Sequence, residues 1–129
     1  MSISAFFDSI GAPLTNVRWS WGGIKGDGAV VLRVWQNETI RRDEGLWIQL
    51  THHSEFADRQ HDLGYQERNR HVEHIKAGAP CFMVMCEAQD LNEVPRVIKG
   101  FNNRELFRGG ELQVIDGDVW VKVISRDRV

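Results

Sequence analysis

Arg18-Trp19-Ser20-Trp21-Gly22-Gly23 and Arg33-Val34-Trp35 bring three of the five tryptophans and two arginines onto what reads as one β-hairpin. An indole is a flat surface for stacking, and a base stacked on an aromatic ring gains roughly 1–3 kcal/mol. A base held in a pocket also needs hydrogen bonds to its edge. Arg18, Ser20, Arg33 and Gln36 are of the right type for that edge or for a phosphate. Two readings stay open. Trp19 and Trp21 share a strand face with Val17 and fill the core, or the rings line a pocket. Trp35 is the better pocket residue, because it alternates with Arg33 on the face opposite Leu32.

A second set of residues has hydrolytic chemistry within its reach. All five histidines lie between His52 and His74. Glu67, His71 and His74 fall on one helix face at spacings of four and three. Such a face serves acid–base catalysis, or metal ligation if a loop histidine joins it. No His-Glu-x-x-His motif is present, so hydrogen-bonded or surface histidines are the simpler reading, and no metal or cofactor is expected. Arg96, Arg104 and Arg108 are candidate phosphate contacts. Acidic residues are interleaved with them, so a solvated face of mixed charge is the competing reading. Gly22-Gly23 and Gly26-Asp27-Gly28 match a phosphate loop only by count, since no Lys-Ser/Thr pair follows.

These residues must be placed by an ordinary globular chain. It has 129 residues, 42% apolar and 26% charged, with a formal net charge of −2. That excludes a strongly basic nucleic-acid coat but leaves room for a local basic cleft. Length predicts one domain, residues 1–129. Cys81 and Cys86 point to opposite faces of a strand and are poor disulfide partners, which fits a reduced, cytoplasmic setting. The start of the chain carries no signal-peptide pattern, and no apolar run predicts a membrane span.

The elements follow from hydrophobic period and turn residues. Ser2 or Ser4 caps a first helix through Ile10, ended by Gly11 and Pro13. Val17–Ile24 and Ala29–Gln36 read as strands joined at Gly26-Asp27-Gly28, and Gly45–Thr51 as a third. His52–Leu63 is a loop. A main helix runs from about Tyr65 to Ala77, with Leu63, Val72 and Ile75 as its apolar stripe. Pro80–Ala88 is a central strand buried on both faces. Arg96–Phe101 is a further strand, and Gly109-Gly110 marks a turn or bulge. The chain closes on a hairpin, Glu111–Ile115 and Asp118–Ser125, turning at Asp116-Gly117. The fold class is α+β. It is built on a curved, mostly antiparallel sheet or partly closed small barrel, with one main helix and a short N-terminal one.

This layout resembles the PUA-like superfamily of small barrels, which includes the EVE, YTH and ASCH groups. The residues that prompt the comparison are the Trp-rich opening hairpin and the helix start Gly64-Tyr65-Gln66-Glu67-Arg68 before a central strand. The resemblance covers most of the chain in layout, matches no diagnostic motif, and carries over no site residue. It implies a module that binds nucleic acid, DNA or RNA, and reads a modified base in an aromatic pocket. Two other classes remain. One is a protein–protein interaction domain, such as an accessory or inhibitor domain of a bacterial or phage defence system, since Trp and Arg also dominate interfaces. The other is a small hydrolase working from the Glu67/His71 helix face.

Overall fold

The computed structural model describes residues 1–42, 45–93 and 96–129. Helix α1 (Ile3–Ser9) is capped by Ser2, whose hydroxyl accepts from the Ala5 amide at 3.2 Å. Gly11, in the left-handed region at φ 76°, turns the chain out of it. The strands are β1 (Gly22–Ile24), β2 (Val30–Trp35), β3 (Thr39–Arg42), β4 (Gly45–Gln49), β5 (Cys81–Ala88), β6 (Ile98–Phe101), β7 (Glu105–Ile115) and β8 (Asp118–Arg128). Helix α2 (Leu63–Lys76) falls between β4 and β5 and is capped by Asp62, whose carboxylate accepts from the Tyr65 amide.

All eight strands form one mixed sheet in the order β1-β2-β5-β7-β8-β4-β3, with β6 added to β5. Among the described residues, only the β2–β5 pair is parallel. The sheet runs out at β1 and β3 and is not closed into a barrel. The expected α+β class, with its main helix and short N-terminal helix, is what the chain adopts.

The apolar runs of β2 and β5 explain why those strands lie inside. Val30, Leu32, Val34, Cys81 and Met83 face a core shared with Val72 and Ile75 of α2. Val31, Val84 and Cys86 face the opposite way, onto Phe6 and Phe7 of α1. The two cysteines are free and lie in different core clusters, as their spacing predicts. Burial pushes the Cys81 thiol up to about 12 and Cys86 up to about 11, so neither is a ready nucleophile. The closing hairpin turns at Asp116 (φ 51°) and Gly117 (φ 85°), the two positive values that a type I′ turn requires. The Gly109 region is a bulge inside β7, which is longer than its apolar pattern indicates.

Four details differ from the sequence reading. The first hairpin strand does not begin at Val17. Residues 16–20 close a local turn instead: the Ser20 amide donates to the Asn16 carbonyl, the Ser20 hydroxyl accepts from the Asn16 amide, and the Asn16 side chain accepts from the Arg18 amide. Such side-chain bonds compete with a strand ladder and here win. Val17 is therefore exposed and shares no core face with the tryptophans. Strand β3 was missed because Thr39-Ile40-Arg41-Arg42 is a polar edge strand with little apolar signal. Leu63 is exposed, and α2 buries Tyr65, Glu67, Arg68 and His71 along with Val72 and Ile75.

Val84 is fully buried between α1 and the sheet. Val84→Asp places an unpaired carboxylate there and is expected to abolish cooperative folding. A soluble Val84→Asp protein with a sharp thermal transition contradicts this placement.

Candidate functional site

A cavity of about 480 Å³ opens where the 16–21 segment, the end of β2, the β4–α2 loop and the segment before β6 converge. It is the right size for a small-molecule or base pocket, roughly 300–1,000 Å³. Trp19, Trp21, Trp35 and Phe56 supply its aromatic wall. Arg18, Arg33, Arg59, Arg68 and Arg96 supply positive charge, and Glu38, Glu55, Asp62 and Glu93 oppose it. None of the three tryptophans is fully buried; all three line the cavity, and Trp35 also packs against the core cluster beside α1. The tryptophan inside the protein is Trp47, whose indole donates to the Arg42 carbonyl at 3.2 Å.

The loop between β4 and α2 contributes Phe56 to the aromatic wall. Asp118 anchors the start of that loop, accepting from the Thr51 hydroxyl at 2.9 Å and the His53 amide at 2.7 Å. Farther along, Phe56 stacks on Tyr65 at 5.0 Å with planes 6° apart, and Trp21 packs on Phe56 at 5.3 Å. Gly64, in the first turn of α2, lets the helix approach the tryptophan segment. A Cβ there would sit 2.6 Å from the Trp19 carbonyl oxygen and 2.6 Å from Trp21 Cε2.

Arg68 closes the floor. Its guanidinium donates to the carbonyls of Leu50 (2.9 Å), Trp21 (3.2 Å) and Arg33. It lies 5.7 Å from the Trp21 ring centre. Burial and the neighbouring Arg33 charge lower its pKa to about 10, so it remains a cation. Sequence reasoning missed this role. An arginine between apolar helix positions reads as surface unless its carbonyl partners are known.

On another wall, Glu38 pairs with His52 at 2.8 Å and with Arg96 at 3.2 Å. Burial alone would raise the Glu38 carboxyl, but its interactions with His52 and with the Arg96 guanidinium outweigh burial and hold it below the usual range. Glu55 joins them: one donor atom from each of Glu38, His52 and Glu55 lies within 4.8 Å of the others. One imidazole and two carboxylates can ligate a divalent cation. Against that, Arg96 already occupies a Glu38 oxygen and repels a second cation. This grouping is not legible from spacing, since its members sit on a 3₁₀ turn and an irregular loop.

The other sequence candidates scatter. Ser20 is fully buried and does not line the cavity; its hydroxyl donates to Glu67 at 3.4 Å and fixes the local turn. Gln36 is exposed at the 3₁₀ turn after β2, away from the cavity lining. Arg96 is in the wall, 5.5 Å from the Trp35 ring centre. Arg104 and Arg108 are exposed elsewhere, Arg108 over Phe82. Glu67 and His71 are buried behind the floor, while His74 is exposed, so these three do not form a shared catalytic face. Burial, then the charges of Arg68, His74 and Arg70, lower His71 to about 4 and keep it neutral.

Compared with known proteins, the chain matches no family model, no curated protein and no solved structure. Among the described residues, no helix is long and apolar enough to cross a membrane.

Two outcomes follow from this geometry. In the unfolded chain His71 takes up its proton near pH 6.5, but in the fold only near 4. The unfolded state therefore binds more protons across that interval. His71's contribution is complete above about pH 6.5 and is lost as pH falls toward 4, by at most ~1.4 kcal/mol per pH unit. Urea midpoints should fall between pH 7 and pH 5, and His71→Gln should remove at least half of that slope. Separately, Gly64→Ala should force the Trp19–Trp21 segment off α2 and destabilise the protein by ~1–3 kcal/mol. The near-ultraviolet circular dichroism of the tryptophans should change with it; an unchanged spectrum and melting temperature refute the close approach.

Proposed function

We propose that the cavity binds a planar heteroaromatic ring, and that the protein is a nucleic-acid-binding module taking a base, modified or not, into this pocket. The observation that carries the reading is the convergence of Trp19, Trp21 and Trp35 with Arg18, Arg33 and Arg96 around one cavity. Stacking surface and edge-directed donors occur together there, the combination an extruded base needs. The layout resemblance to PUA-like domains fits the same reading. DNA and RNA remain equal candidates.

The three rings are not equivalent. Trp21 is taken up by Phe56 and Arg68, and Trp35 by Arg96 and the core beside α1. Among the described residues, Trp19 has no ring or cation partner and lies on a turn outside both core clusters. It is the face left open for a ligand, whereas Trp35, first choice from the sequence, doubles as packing.

Trp19→Ala should therefore keep the melting temperature within a few degrees and lower oligonucleotide affinity by about one to two decades. Trp35→Ala should lower both affinity and stability. The measurement is fluorescence anisotropy against single- and double-stranded DNA and RNA, with and without base modifications. If the parent protein binds none of them, or Trp19→Ala binds as the parent does, the reading fails.

A further inference from the structure

The floor of the cavity holds two guanidinium groups that the fold does not neutralise. Arg68 is 4% exposed, and its Nε has no hydrogen-bond partner. Arg33 projects from β2 into the same cavity; its Nε is also buried without a partner, and its side chain donates no hydrogen bond to any described residue. Among the described residues, no carboxylate lies within 4.0 Å of either group.

Of the acids that line the cavity, Glu55 is paired with Arg59 at 4.0 Å and Glu93 is exposed, and the others are committed elsewhere. Glu38 is engaged by His52 and Arg96 on its two oxygens. Asp62 caps α2. Glu67 faces Ser20, behind the floor. Burying two like charges without a counter-ion is expensive, and breaking an ion pair in a protein interior is costly for the same reason. A fold has no use for Arg33 in this position, because an apolar side chain would fill the space without desolvating a charge. The depressed pKa values of Arg33 and Arg68, both due first to burial, point the same way.

We propose that Arg33 and Arg68 form an anion subsite at the floor of the pocket, so that its ligand is a planar ring carrying a negatively charged group. This rests on the ring-binding reading of the cavity and narrows it. The tryptophans take the ring. Arg33 offers the terminal amino groups of its guanidinium, which make no hydrogen bond to a described residue and are not sealed off as its Nε is, to the anion as charge-assisted hydrogen bonds, and Arg68 adds its positive charge from the floor. A neutral ring leaves the two cations unanswered, and a cationic ring adds to them.

The test uses four small probes on the intact protein: orotate, a pyrimidine with a ring carboxylate; uracil, the ring alone; acetate, the carboxylate alone; and uridine 5′-monophosphate, a ring whose anion sits on the sugar. Binding is read by tryptophan fluorescence and by melting temperature at constant ionic strength. Orotate should bind at least tenfold more tightly than uracil or acetate. Arg33→Gln should erase that preference to within about twofold while melting at or above the parent temperature, since it removes an unpaired buried charge.

Uracil binding as well as orotate, or orotate binding undiminished to Arg33→Gln, overturns the subsite. So does a large loss of stability in Arg33→Gln, which would make Arg33 structural, or no response to any probe. Tighter binding of the monophosphate than of orotate overturns the assignment of the anion to the ring. Failure here is separable from failure of the function proposed above. Oligonucleotide binding that needs Trp19 but shows no orotate preference keeps the module and loses the subsite. Orotate binding without oligonucleotide binding does the reverse.

Discussion

One buried guanidinium joins three parts of this chain that have no other common partner. Arg68 reaches from α2 to the carbonyls of Leu50 at the end of β4, Trp21 at the start of β1, and Arg33 within β2. Strand ladders satisfy backbone groups along strands, but these three lie where strands end or where a neighbouring strand is too short to continue. The Trp21 carbonyl also accepts from the Arg33 amide at 2.8 Å, and a buried carbonyl left without any donor costs about 1–3 kcal/mol. A single planar fork with five donors can meet several such carbonyls at once; a lysine, with its compact ammonium, cannot span them in the same way. The helix is thus tied to both halves of the sheet at the point where the cavity lies.

Arg68 can reach that position because the α2 start approaches the tryptophan segment so closely. Gly64 removes the side chain that would hold the two apart. The Tyr65–Phe56–Trp21 column then fills the gap from the loop side. The loop is irregular but not loose at its base: the Asp118 carboxylate and the Thr51 hydroxyl, which also accepts from the Val119 amide, lock its first residues to β8. Loops carry binding residues well when a rigid scaffold fixes their ends, and this one has such a scaffold.

Legibility in the sequence followed the strength of local signals. The Ser2 cap, the Asp116-Gly117 turn and the two-faced apolar run of β5 are local rules acting without competition, and each appears where the pattern places it. Val17–Trp21 carries an alternating pattern too, yet Asn16 and Ser20 close a turn first, a competition that periodicity does not register. The cavity was half legible. Its tryptophans and Arg33 stood out by type and spacing. Arg68, Glu38 and His52 did not, because their roles come from contacts across 14 to 58 residues of chain. Glu67 and His71 show the converse: correct helical spacing put them on one face, and that face turned out to be interior.

The position of Arg33 and Trp35 has a simple geometric origin. Both lie on the face of β2 that carries Val31, and α1 covers that face through Phe6 and Phe7. A seven-residue helix is only about 10 Å long, whereas six residues of strand extend about 20 Å. The helix can therefore shield only part of β2. Beyond its cover, the same face needs another occupant. On an ordinary two-layer sheet that stretch would be apolar beneath a second helix, or polar and open to water. Here it is neither: Arg33 stands there half-buried with its Nε unpartnered, and Trp35 beside it packs partly against the α1 cluster. The short helix leaves a deep, aromatic, positively charged recess where packing alone would have called for closure.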